Sequence, residues 1–371
     1  MKIAQIAPLM ESVPPRLYGG TERVVSYLCE DLVALGHQVS LFASADSLTS
    51  AELVPCAAEA LRLDSRVKDP LPHYMVMLEA VRRRAHEFDI LHFHIDHVHF
   101  PVFADMASRT VTTMHGRLDL PDLPVLFDVF STMPLTSVSL SQREPLSRAN
   151  FVANIHHGLP IGLHAPRLGA SREPYLAFIG RMSREKRPDV AIHIARSAGM
   201  KLKLAAKVDA VDKPYFESEV VPLLGSDTEF IGEINEHEKT AFLGGAEALL
   251  FPIDWPEPFG LVMIEAMACG TPVLAFDCGS VREVVDHGVT GHIVSSVDEA
   301  LATLPQTLAL NRAQVRATFE RRFSSCVMAR GYLDLYDRVL RLHAVDNAVG
   351  NGAVRARRRP EPSYASEAGL V

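Results

Sequence analysis

The chain has 371 residues, 48% of them hydrophobic and 22% charged, with a formal net charge of −8. The length points to two domains of ordinary size, the composition is globular rather than disordered, and the acidic balance speaks against a nucleic-acid role. Five cysteines, odd in number and without a C-x-x-C pair, argue against a disulfide framework or a zinc site and fit a reducing cytoplasm.

Ile3 to Ala7 opens as a strand; its apolar run is short and meets Pro8 and Glu11, unlike a signal peptide. No later apolar run approaches the roughly 18 residues of a membrane span. A loop follows, bearing Pro14, Pro15, Gly19 and Gly20. Thr21 is placed to N-cap a helix whose apolar face is Val24, Val25, Leu28, Leu32 and Leu35. Gly36 ends that helix, and Val39 to Phe42 is the next strand. Strand, loop, helix and strand without a hairpin signal make a parallel unit. The Gly19-Gly20 pair then sits at the carboxyl end of a strand, where open parallel sheets bind ligands.

Asp89 to His94 and Thr110 to Met114 are further strands, the second leading into His115-Gly116. Between them lie His92, His94, His97 and His99, with no acidic or cysteine partners at ligand spacing, so buried or cleft-lining histidines are preferred to a metal site. Val138 to Leu140 and Phe151 to Ile155 close this half, and a Pro- and Gly-bearing linker spans residues 160 to 173. Tyr175 to Ile179 restarts the pattern. Six charges then crowd between Arg181 and Asp189, ahead of a helix through Val190, Ile194 and Ala198. Leu202 to Ala205 and Thr228 to Ile231 continue the strands. Val327 to Leu342 is a terminal helix. Residues 345 to 371 turn polar, a disordered tail in which Arg355 to Arg359 is either a solvated run or a weak contact to an acidic membrane surface.

The most informative stretch is 251 to 273. Ala248 to Phe251 is a buried strand, Pro252, Pro256 and Pro258 forbid ladder and helix through the loop, and a helical pattern runs from Phe259 to the Gly270–Pro272 stop before the strand Val273 to Phe276. The first amides of that helix, near Gly260, Leu261 and Val262, lack intrahelical acceptors, and with the helix dipole they favour a phosphate. Glu265 follows on the same face, roughly 6 Å along the axis, where a carboxylate can accept two hydrogen bonds from a diol. Glu257 precedes the helix in the loop. Phosphate, diol and a second polar group describe a nucleotide-linked ligand.

The run Glu257-Pro-Phe-Gly-Leu-Val-Met-Ile-Glu265 resembles the E-x7-E motif of retaining glycosyltransferases of the GT-B fold, family GT4. Gly19-Gly20, Thr113-Met-His115-Gly116 and Arg181 with Lys186 match the family's glycine loop, donor-facing histidine and phosphate-binding pattern. The resemblance implies two Rossmann-like parallel-sheet domains facing across a cleft. The first, residues 1–165, lies on the acceptor side; the second, residues 166–326, binds the nucleotide sugar; a helix over residues 327–343 returns to the first.

It further implies retaining transfer of a sugar from a nucleotide-diphosphate donor to a hydroxyl acceptor, lipid-linked or small. Arg181, Lys186 and the amides of Gly260 to Val262 would hold the diphosphate without a metal or other cofactor, and Glu265 the ribose. Glu257 and the Pro258-Phe259-Gly260 backbone would orient the sugar, His115 its far side, and Ile234 would lie near the base. The acceptor falls to loops 8–20 and 43–75. No P-loop, G-x-S-x-G elbow, H-E-x-x-H or D-x-D pair offers a different chemistry. The alternatives are a glycoside phosphorylase on the same fold, separable by weak nucleoside diphosphate binding, and a non-catalytic nucleotide-sugar-binding protein, which the intact Glu257, Glu265, Arg181, Lys186 and His115 argue against.

Overall fold

The computed structural model describes residues 1–16, 19–167 and 173–350, with no account of side chains over 343–350. Two parallel sheets carry the chain. The first holds β1 (Lys2–Ile6), β2 (Gln38–Ser44), β3 (Glu52–Ala57), β4 (Ile90–Phe93), β5 (Thr110–Thr113), β6 (Leu135–Ser137) and β7 (Phe151–Asn154), in the order β3-β2-β1-β4-β5-β6-β7. The second holds β8 (Tyr175–Arg181), β9 (Lys201–Lys207), β10 (Thr228–Gly232), β11 (Ala248–Phe251), β12 (Val273–Phe276) and β13 (Gly291–Val294), in the order β10-β9-β8-β11-β12-β13. Helices cover the faces, so central strands such as β4 and β11 are buried at every residue. In each sheet the strand order reverses beside the first strand, between β1 and β4 and between β8 and β11. Loops leaving the carboxyl ends at those points part and leave a crevice.

The terminal helix Ser325–Gly350 packs across the first lobe. Its Met328, Tyr332, Leu335, Tyr336 and Val339 share a buried cluster with Val24, Val25, Leu28 and Leu32 of the Gly20–Ala34 helix. The crossing is stitched by backbone bonds from Leu159 N–H to the Phe323 carbonyl at 2.9 Å and from Ser325 N–H to the Leu159 carbonyl at 2.8 Å. Two tyrosine hydroxyls reach the sheet beneath. Tyr336 Oη bonds Gln5 Nε2 at 3.1 Å and His92 Nδ1 at 2.6 Å, and Tyr332 Oη bonds Thr113 Oγ1 at 2.8 Å.

Several boundaries differ from the sequence reading. Gly19, not Thr21, occupies the cap position of the first helix, and no side chain caps it. The sixth strand is Leu135–Ser137 rather than 138–140, because the Val138 amide leaves the ladder for the Gln142 side chain at 2.9 Å. The stretch 43–75 holds β3 and the start of the Leu71–Arg84 helix, so it is not one acceptor loop. β3 carries Pro55 and pairs only with β2, and an edge is where a strand tolerates proline. The helix after β11 begins at Leu261, not Phe259. The terminal helix runs to Gly350, past the expected onset of disorder at 345. The basic run Arg355 to Arg359 lies outside the described residues.

Replacing Tyr336 by Phe keeps the packing and strips hydrogen-bond partners from buried Gln5 and His92. We expect a loss of about 1–3 kcal/mol in urea unfolding, the cost of buried polar groups left unpaired.

Candidate active site

The crevice between the lobes is a cleft of about 580 Å³. One wall comes from the second lobe. β8 ends at Arg181, whose guanidinium pairs with Glu185. A turn over Arg184–Lys186 follows, closed by Arg187 in the left-handed conformation at φ 53°, and it aims Lys186 back at the cleft. The Lys186 ammonium rests on Glu257 and lies 5.0 Å from the centre of the Trp255 ring. Trp255 Nε1 donates to the same Glu257 oxygen at 2.9 Å. Both cations expected at the phosphate are therefore already matched with carboxylates.

The loop after β11 holds Glu257 in place from behind. Gly279, at φ 58°, packs so closely that a Cβ there would lie 2.6 Å from the Glu257 carbonyl oxygen. Ser280 N–H donates to that carbonyl at 3.1 Å, and Ser280 Oγ to the Phe259 carbonyl at 2.8 Å. Phe259 is thus fixed and buried, and the chain turns into the helix only through Gly260, at φ 77°. These two facts delay the helix to Leu261. The Met263 amide is taken by the Gly260 carbonyl at 3.0 Å, which leaves the amides of Leu261 and Val262 as the donors without intrahelical acceptors. Glu265, 4% exposed, follows on this helix, and its Oε1 accepts from Lys239 Nζ at 2.7 Å. Lys239 also lies 3.5 Å from Glu236, which Arg23 of the first lobe meets at 2.6 Å. Burial favours the neutral form of Glu236, but His164, Lys239 and Arg23 outweigh it and hold the carboxyl down at about 2.

The first-lobe wall is formed by Gly19 to Arg23, Arg62, His115, Gly116 and His157. Gly20 meets the opposite lobe directly, since a Cβ there would sit 3.4 Å from Leu261 Cδ1. His115 Nε2 bonds His94 Nδ1 at 2.9 Å, and His94 Nε2 bonds Gln5 Oε1 at 2.7 Å. An amide oxygen only accepts, so His94 carries its proton on Nε2 and accepts at Nδ1 from His115 Nε2–H. His115 Nδ1 is then a bare lone pair, buried and without a partner among the described residues. The ring lines the cleft, but one nitrogen is spent and the other covered, so contact with a sugar at a ring nitrogen requires the side chain to turn. Burial pushes its pKa down to about 3, so the ring is neutral. His157 stacks on it at 5.2 Å.

His92 and His99 are structural. His92 also bonds Thr113 at 2.7 Å, and His99 bonds Thr112 at 3.0 Å while stacking on Phe93 at 3.8 Å. Among the described residues no group of three or more His, Cys, Asp or Glu side chains is placed to hold a metal ion.

Every residue singled out in the sequence lines this one cleft: Gly19, Gly20, His115, Arg181, Lys186, Ile234, Glu257, Pro258, Phe259, Gly260, Leu261, Val262 and Glu265. Missed were Glu22, Arg62, His157, Lys207 and Lys239. Glu233 lies in the stretch 232–234 read as near the base, and Trp255, the chain's one tryptophan in a loop of prolines, marked the loop without being given a role. Lys239 had no signal, since its partner lies 26 residues on.

With this geometry in place, two family models match the chain: Glycosyl transferases group 1 over residues 164–321 and Glycosyltransferase Family 4 over residues 18–131. A phosphatidyl-myo-inositol mannosyltransferase of Mycobacterium leprae is 25% identical over 382 residues, covering 91% of this chain and 97% of that protein. A D-inositol 3-phosphate glycosyltransferase of Frankia alni is 29% identical over 342 residues, covering 76% and 83%. Among solved structures, AviGT4, a glycosyltransferase involved in avilamycin A biosynthesis, superposes with a TM-score of 0.71 at 25% identity, covering 91% and 98%. The chain belongs to the group 1, family 4 glycosyltransferases, and its two lobes have the GT-B architecture.

Two outcomes follow from the site's geometry. Gly279→Ala forces its Cβ into the Glu257 backbone, so we expect a fall in the thermal midpoint and at least a tenfold loss of ligand affinity in the cleft, read by calorimetry with nucleoside diphosphates. Separately, His92, His94, His99, His115 and His157 are all kept neutral by burial. Unfolded, each titrates near 6.5. The unfolded chain therefore takes up protons that the fold refuses, and stability present above about pH 6.5 is lost as pH falls toward the lowered folded values. Glu11 and Glu22, pushed upward by burial, act in the opposite sense. Thermal melts between pH 7.5 and 5 should show a steadily falling midpoint; a flat profile would mean that the cluster charges inside the fold.

Proposed function

We propose that the protein is a retaining, metal-independent glycosyltransferase that moves a sugar from a nucleotide-diphosphate donor to a hydroxyl acceptor. The observation that carries this reading is the convergence on one cleft wall of Arg181, Lys186, two unsatisfied helix amides and Glu265. That wall offers charge for a diphosphate and a carboxylate for the attached ribose. The names of the relatives, a mannosyltransferase and an inositol-phosphate glycosyltransferase, support sugar transfer to a polyhydroxyl acceptor.

In this reading the arriving diphosphate exchanges partners with the protein. Lys186 leaves Glu257 for a phosphate oxygen, and Arg181 does the same from Glu185. Glu257 then faces the donor sugar with Trp255 still donating to it, and the Pro258-Phe259-Gly260 backbone lies alongside. The amides of Leu261 and Val262 take a second phosphate contact, with the glycine pair Gly19-Gly20 across from them. Lys239 occupies one oxygen of Glu265 and leaves the other for the ribose. Ile234 lies near the base. As the glycosidic bond breaks, negative charge builds on the diphosphate, and preset cations and amides stabilise it without reorganising. The acceptor hydroxyl attacks from the leaving-group side, and the departing phosphate takes its proton, which retains the anomeric configuration. A cytoplasmic setting suits the five free thiols. Among the described residues no helix is long and apolar enough to cross a membrane.

The test is a hydrolysis and transfer screen with UDP-, GDP- and ADP-sugars. One family of donors should be turned over, and Lys186→Ala should cut that turnover at least about 100-fold, the usual scale for losing one transition-state charge contact. Unchanged turnover in the variant would remove the phosphate assignment. Use of free sugar phosphates in place of nucleotide sugars would turn the reading to a phosphorylase.

A further inference from the structure

The wall opposite the phosphate-binding side has the wrong charge for an anionic acceptor. Glu22 lines the cleft, is 6% exposed, and has no ion-pair or side-chain partner among the described residues. Gly19 leaves it room, since a Cβ there would come within 3.1 Å of Glu22 Oε2 and 2.7 Å of Pro15. Two cations share the wall and both are committed: Arg62 to Glu11 at 3.0 Å and Arg23 to Glu236 at 2.6 Å. Across the cleft Lys207 is held by Asp209 at 2.9 Å, and Glu233 adds another carboxylate to the lining. A phosphate placed against Glu22 would meet a carboxylate that has no ion-pair partner among the described residues, with Glu233 also in the lining. A hydroxyl group can donate to the Glu22 carboxylate and leave those ion pairs intact.

Resting on the glycosyltransferase reading above, we propose that the first-lobe subsite takes an uncharged polyol, and that Glu22 selects it by accepting hydrogen bonds from its hydroxyls and repelling phosphorylated acceptors. This separates the chain from relatives whose names specify an inositol phosphate. Burial, with the Glu11 charge adding to it, pushes the Glu22 carboxyl above its usual range, while its backbone hydrogen bond, Arg62 and Arg23 pull it the other way.

The test uses the full chain with whichever nucleotide sugar it hydrolyses and matched acceptor pairs: myo-inositol and D-inositol 3-phosphate, glycerol and glycerol 3-phosphate, glucose and glucose 6-phosphate. At least one neutral member should be glycosylated, with kcat/KM at least tenfold above its phosphorylated twin. Glu22→Gln should narrow that ratio at least fivefold, mainly through KM, with the Kd for nucleoside diphosphate unchanged. A phosphorylated twin preferred by the wild type would overturn the proposal. So would transfer to no neutral member while the donor is still bound and hydrolysed, or an unaltered ratio in a folded E22Q protein. Absence of nucleoside diphosphate binding in the wild type would instead bring down the glycosyltransferase reading, and this proposal with it.

Discussion

A lysine ammonium lodged between two lobes cannot be left without a counter-charge, and the contact of Lys186 with Glu257 sets the shape of everything around it. For that pair to form, the turn after β8 and the loop after β11 must be locked together. Asp254 N–H donates to the Glu185 carbonyl at 2.9 Å, and Arg187 reaches Asp254 at 3.1 Å. Glu257 is then fixed from both sides: by Lys186 and the Trp255 indole in front, and by Gly279 and Ser280 behind. With the loop fixed, Gly260 has one way into the next helix, and the unsatisfied amides of Leu261 and Val262 face the cleft rather than the protein interior. The anion-seeking helix end is thus a consequence of how a carboxylate is held four residues before it.

The same logic joins the lobes. The cleft floor carries a chain of charges, Arg23–Glu236–Lys239–Glu265, that begins on the glycine-loop helix of one lobe and ends at the buried carboxylate of the other. Farther along, Glu283 of the second lobe accepts from the Leu140 and Ser141 amides of the first at 2.7 and 2.8 Å, with His156 at 3.3 Å. Of that chain of charges only Arg23 belongs to the first lobe, and it reaches Lys239 and Glu265 through Glu236. Lobe position and the carboxylate assigned to the ribose are therefore parts of one electrostatic arrangement.

What the sequence showed and what it hid follow from this geometry. The cleft wall from Glu257 to Glu265 was legible because strand, proline loop, glycine and helix are consecutive, and local rules govern each of them. Arg181 and Lys186 were legible because a charged turn between a strand and a helix has only one place to go in a parallel sheet. The pairing of Lys186 with a carboxylate was not legible, since Glu257 lies 71 residues away. Glu22 was hidden for another reason: the glycine turn was legible as cleft-facing, but two residues after Gly20 this residue reads as an ordinary first-turn helix acid, and its place in the cleft lining came only with the fold. β3 was missed because an edge strand with a proline and half-exposed side chains carries neither alternation nor a continuous apolar run.

The histidines tie stability to chemistry. A cationic imidazole beside a sugar on its way to an oxocarbenium ion would oppose the charge that must develop there. In the proposed reaction five imidazoles would lie at or behind that position, and burial keeps all of them neutral. His115 lines the cleft with His157, and its tautomer is set two residues away, by the Gln5 amide acting through His94. Gln5 is itself oriented by Tyr336 on the returning helix. The helix that crosses back from the second lobe thus packs the first and also fixes the proton on His115 at the cleft. In the proposed reaction this leaves the sugar flanked by cations on the diphosphate side, carboxylates on the acceptor side and uncharged rings between them, an order that favours charge separation along the bond to be broken and nowhere else.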